Sequence, residues 1–220
     1  MNTVIQDNIA ELNQKLDEMS DRVVSAIRDS LEALVEKDVD RAKQIRKEDK
    51  KINALRWDIE EKCITLIATQ QPVASDLREL IALLYIITEL ERIGDYAAGV
   101  SKFTIKNGSN DYIKPLIDIP RMGKIAAEMI EQAMNAYKYK DEQEAKLIHG
   151  MDDEIDQLYH QVYRELTSFM IEKPENITQC TYLLRVAYNI ERMGDRVTNI
   201  CERILYLATG ERVDDLKRQL

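Results

Sequence analysis

Residues 89–99 read ELERIGDYAAG, and residues 189–199 read NIERMGDRVTN. Both contain Glu-Arg-x-Gly-Asp, and the copies lie one hundred positions apart. The likeness extends upstream. KEDKKINALRWDIEEKCITLI at 47–67 aligns with GMDDEIDQLYHQVYRELTSFM at 150–170, matching Asp49 with Asp152, Ile52 with Ile155 and Leu55 with Leu158. The offset there is 103 and falls to 100 after the next connection. The second copy therefore has a turn three residues shorter, and turns are where length changes are tolerated. The chain is an internal duplication.

Apolar spacing gives each copy three helices. Ile9, Leu12, Leu16, Met19, Val23 and Ile27 form one stripe at helical period. Ile52, Leu55, Ile59 and Leu66 form a second, and Leu80, Leu83, Ile87, Leu90, Gly94 and Ala97 a third. Gln71-Pro72 separates the second stripe from the third, with Pro72 expected to begin the third helix. Lys173-Pro174 does the same job in the second copy, whose first helix covers roughly 118–140 through Met122, Ile125, Met129, Ala133 and Ala136. KNGSNDYIKP at 106–115 reads as the linker between copies. The expected fold is all-α, two tandem three-helix bundles of six helices, over residues 1–107 and 111–212.

Composition agrees. Only 7 Gly and 4 Pro punctuate 220 residues, while 45% of residues are hydrophobic and 32% charged. A net charge of −9 without a basic run disfavours nucleic acid. The isolated cysteines Cys63, Cys180 and Cys201 suit reduced thiols in a cytosol. MNTVIQDNIA has no signal-peptide pattern, and LIALLYII at 80–87 is too short to span a bilayer. A cytoplasmic protein that meets membranes only through partners is expected.

The motif places Glu91 and Asp95 four apart, on one helix face about 6 Å from each other. Gly94, on the apolar stripe, costs about 1 kcal/mol relative to Ala. Its expected use is to let a neighbouring helix backbone approach. Asp49 lies about as far before the Gln71-Pro72 turn as Asp95 lies after it, so an antiparallel pair brings them level. Each bundle then gathers four oxygen-bearing side chains: Asp49, Asn53, Glu91 and Asp95 in one, Asp152, Asp156, Glu191 and Asp195 in the other. Clustered carboxylates need a cation. It could be a hard metal ion such as magnesium, calcium, manganese or iron. It could equally be the neighbouring Arg92, Arg192, Arg196 and Lys50. No organic cofactor motif occurs.

QQPVASDLREL followed by ELERIGD, with NIERMGDRVTNICERILYLATGE closing the second copy, resembles the PhoU family of phosphate-regulon regulators. The resemblance covers nearly the whole chain. It implies two three-helix bundles, a homodimer, and iron or another metal held by the eight residues above. It also implies a non-enzymatic negative regulator of the phosphate-starvation response. Such a regulator couples the phosphate ABC transporter, through its ATPase subunit, to a sensor histidine kinase. Asn53 stands where the family commonly has an acid, which weakens the first site. QQPVASDLR itself reads as a capped hairpin, with Asp76 near the positive end of its helix, or as a partner-binding loop.

The alternative is a carboxylate-bridged oxidase or metal-storage bundle. That class wants Glu-x-x-His, whereas Lys146 precedes His149 and Gln157 precedes His160 by three. Both histidines are therefore read as surface or boundary residues. No phosphate-binding glycine loop or nucleophile elbow points to another enzyme.

Overall fold

The computed structural model describes residues 3–211. They form α1 (Thr3–Glu36), α2 (Val39–Gln70), α3 (Ala74–Asn107), α4 (Asp118–Tyr139), α5 (Glu142–Glu172) and α6 (Ile177–Thr209). No strand occurs among the described residues, and the six-helix, doubled plan is the one expected. The stripes that define α1 and α4 are buried along their whole length.

The turns explain where helices stop. Lys37 and Lys140 are left-handed, with φ of 59° and 53°. The next residue's N–H, from Asp38 or Asp141, donates to Ala33 or Ala136 at 2.9 Å. This six-to-one bond closes α1 and α4. Asp38 then accepts from the N–H groups of Asp40 and Arg41 to start α2. Asp141 accepts from Gln143 and Glu144 to start α5. These Lys-Asp pairs lie at the repeat offset of 103, a signal the apolar stripes do not carry.

Two expected boundaries move. Pro72 does not open α3, which begins at Ala74. Left-handed Gln71 ends α2, and extended Val73 completes the bend before the helix can start. In the second copy Pro174 opens a short 3-10 turn, Pro174–Asn176, that leads into α6. The linker is residues 108–117, because α3 continues through Asn107. Gly108 stops it with φ 59° and ψ −135°, a conformation that favours glycine. The outer limits expected for the two copies, positions 1 and 212, lie outside the described residues.

Neighbouring helices run antiparallel. In the first bundle Arg41 pairs with Asp29 near the turn and Lys62 with Glu11 far from it. Between bundles, α3 and α6 also cross antiparallel. Tyr85 lies under Arg203, Glu89 meets Arg196 and Asn199, and Lys106 meets Tyr182. These crossings bring positions 94 and 194 to one height, so the internal two-fold passes through the glycine motifs.

One core serves both copies. Buried residues of all six helices join a single apolar cluster. α1 also lies against α4, where Tyr137 Oη donates to Asn13 Oδ1 at 3.2 Å. Cys63, Cys180 and Cys201 are free and buried in this core. No helix among the described residues is long and apolar enough to cross a membrane.

Candidate functional site

A Cβ placed on Gly94 would stand 3.1 Å from Ile52 Cδ1 and 3.5 Å from Asp49 Oδ1. One placed on Gly194 would collide with the Asp152 carboxylate and stand 3.1 Å from Ile155 Cδ1. The glycines therefore admit side chains of the preceding helix, where backbone was expected. Ile52 and Ile155 key the helices together, and Gly194 also makes room for the Asp152 carboxylate, whereas Asp49 stands at ordinary contact distance from Gly94.

The antiparallel register does bring the predicted residues together. In the first bundle Asn53 Nδ2 donates to Asp49 Oδ2 at 3.4 Å. Burial raises the pKa of Asp49, and the charge of Asp95 adds to it, while Arg46 opposes. Glu91 is raised by burial and then by Asp95, with Arg56 opposing. In the second bundle Asp152 is pushed up to about 7 by burial, then by Asp156, Asp195 and Glu191. Asp156 is raised by burial and by Asp195, with His160 opposing. Glu191 is raised by burial and by Asp195, with Arg192 and Arg196 opposing. The charge of Asp195 thus acts on each of Asp152, Asp156 and Glu191.

The arginines anticipated as neutralisers divide. Arg192 forms an ion pair with Asp195. Arg92 and Arg196 instead reach Glu89, at 3.7 and 3.3 Å. Lys50 is exposed. His160 is exposed and His149 partly buried, as surface and boundary residues are. Arg46, Arg56 and Glu89 were not anticipated. At the offset of 103, Arg46 and Arg56 correspond to His149 and Tyr159, so the second copy has no arginine at either position. The two clusters therefore differ. The first has three carboxylates and an amide beside Arg46, Arg56 and Arg92, whereas the second has four carboxylates beside Arg192, Arg196 and His160.

The donors fit a hard cation chemically, being all oxygen. Buried Asp49 Oδ1, Asp152 Oδ1 and Glu191 Oε2 have no hydrogen-bond partner. A buried carboxylate oxygen in that state is costly unless something positive meets it. Among the described residues no three acidic, cysteine or histidine side chains already converge as a metal site. Ligation would require the carboxylates to turn toward one point, and Asp195 to leave Arg192.

The PhoU domain matches the chain twice, over residues 16–104 and 119–204, one motif in each match. The chain is 35% identical over 212 residues to the phosphate-specific transport system accessory protein PhoU homolog of Clostridium acetobutylicum, covering 96% of this chain and 97% of that one. It is 34% identical over 209 residues to the homolog of the same name from Rhizobium meliloti, covering 94% and 88%. Among solved structures it is similar to PhoU from Pseudomonas aeruginosa, with TM-score 0.90, 29% identity and coverage of 94% and 99%. It is also similar to the phosphate transport system regulatory protein PhoU from Streptococcus pneumoniae, with TM-score 0.88, 31% identity and coverage of 94% and 98%. Because the domain matches span both repeats and these relatives share about a third of their residues with nearly the whole chain, the chain belongs to the PhoU family.

Proposed function

We propose that this chain is a non-enzymatic adaptor of the phosphate transport system. It holds the phosphate-starvation response off by coupling the phosphate ABC transporter, through its ATPase subunit, to a sensor histidine kinase. It works in the cytoplasm as a homodimer and reaches the membrane only through those partners. The names of its relatives, accessory and regulatory proteins of phosphate transport, support this reading.

We further propose that the second cluster, Asp152, Asp156, Glu191 and Asp195, is the stronger cation site. The observation that carries this is the pair of buried, unpartnered oxygens on Asp152 and Glu191, one from each helix of the α5/α6 pair. A bound cation would meet these two oxygens, which neither Arg192 nor Arg196 hydrogen-bonds. Asp152 and Asp156 would hold it from α5, Glu191 and Asp195 from α6. The first cluster, Asp49, Asn53, Glu91 and Asp95, holds a cation more weakly. Asn53 brings no charge, so three carboxylates stand among Arg46, Arg56 and Arg92, whereas four stand among Arg192, Arg196 and His160.

The test is metal content of purified protein alongside capture by the purified ATPase subunit and kinase cytoplasmic domain. Glu191→Ala with Asp195→Ala is expected to remove most bound iron or manganese, and Glu91→Ala with Asp95→Ala much less. Metal that survives the first pair of changes places the ion elsewhere. Failure to bind either partner overturns the adaptor reading.

A further inference from the structure

We infer that the seam between α3 and α6 is a docking strip for an acidic segment of a partner protein. The inference goes beyond the reading above, and it stands whether or not either acid cluster takes a cation. Two rows face each other here, at positions 85, 89, 92, 96 and 99 of α3 and 185, 189, 192, 196, 199 and 203 of α6. The contacts that set them opposite are Tyr85 with Arg203, Glu89 with Arg196 and Asn199, and Tyr96 with Arg192.

The rows bring five arginines together: Arg92 from α3 and Arg185, Arg192, Arg196 and Arg203 from α6. Among the described residues of these rows Glu89 is the one acid, and Asp195 beside them pairs with Arg192, which leaves Arg92, Arg185 and Arg203 as the outward cations. This runs against a chain whose net charge is −9. Glu89 is nearly buried, 12% exposed, and it holds Arg196 and Arg92 in place from below. Arg92 keeps half of its side chain in solvent, and Arg185 is exposed. Arg203 Cζ lies over the Tyr85 ring, 3.7 Å from its centroid, a cation–π contact that holds the guanidinium on the strip. Tyr85 and Tyr188 are each 47% exposed, so aromatic surface is available beside the charges.

Fixed guanidinium forks beside aromatic rings suit carboxylate recognition, and arginine and tyrosine are the residues that anchor interfaces. From Arg185 to Arg203 the strip is about 27 Å long at the rise of a helix. That length matches a helical segment of about five turns, or an extended one of about eight residues. A nucleic acid or an anionic membrane fits less well. The carboxylates of the two acid clusters flank the strip on both sides and repel a wide phosphate surface. A narrow acidic peptide lies between them.

The test uses fluorescence anisotropy with two labelled glutamate-rich peptides. One is a helix of about 20 residues with its acids on one face, and the other is an extended peptide of about 8. Versions with lysine in place of glutamate serve as controls. At low salt at least one acidic peptide is expected to bind, and Arg185→Glu with Arg203→Glu should weaken it about tenfold or more. Lys124→Glu, an equal charge change on an exposed residue of α4, should leave binding unchanged. Circular dichroism checks the fold, and Arg185→Glu alone serves if the double change does not fold. The inference is overturned if neither acidic peptide binds better than its lysine version. It is also overturned if Lys124→Glu weakens binding equally. Single-stranded oligothymidine or phosphatidylglycerol vesicles bound as tightly through the same arginines would overturn it too.

Discussion

Gly194 makes room for the Asp152 carboxylate, and burial with four acidic neighbours pushes that carboxyl up to about 7. In the unfolded chain an aspartate titrates near 3.9. The folded state therefore holds this proton more tightly. Its contribution to stability is fully present below about pH 4 and is lost as pH rises through about 7. Asp152 is partly open to water, so the effect is screened to about 1 kcal/mol, or about 2–4 °C in melting temperature. In chelator-treated protein, Asp152→Asn should melt higher than wild type at pH 8 and lose that advantage at pH 4. A constant difference across that range would contradict the assigned environment. At this scale the sequence displayed the acids, since Glu-x-x-x-Asp is visible by eye. It did not display Arg46 and Arg56. They act on Asp49 and on Glu91 from α2 in ways that only the antiparallel register specifies.

At the scale of the element, the molecule relies on two identical corners. Each has a left-handed lysine and an aspartate whose carboxylate caps the following helix. Replacing an N-cap aspartate by alanine costs about 1 kcal/mol. Asp38→Ala and Asp141→Ala should each lower the urea midpoint by a corresponding and similar amount, with unchanged slope. Unequal losses would mean that the corners differ in ways their backbones do not show. The long helices themselves were legible because their apolar stripes recur over many turns. Their ends were less so. The start of α3 shifted from Pro72 to Ala74, because the left-handed conformation of Gln71 is a backbone choice that its side chain does not announce.

For the whole molecule, two repeats share one core, so neither half has a separate unit of cooperativity. Glu89 and Arg196, 12% and 13% exposed, fasten α3 to α6 at the centre of that union. Thermal unfolding of the metal-free protein is expected as one transition, with calorimetric and van't Hoff enthalpies equal. Two resolved transitions would show that the bundles unfold independently.

Repetition in the sequence determined the helix count, the pairing of copies and the eight oxygen-bearing positions, because periodicity and internal offset are properties of the chain alone. Tertiary structure decided what each group meets. Helix packing sets distances between residues far apart in sequence, and those distances gave Gly94 to Ile52 and Gly194 to Ile155 and the Asp152 carboxylate. The same packing drew Arg92 and Arg196 to Glu89 and left Asp152 and Glu191 with buried oxygens that no donor reaches.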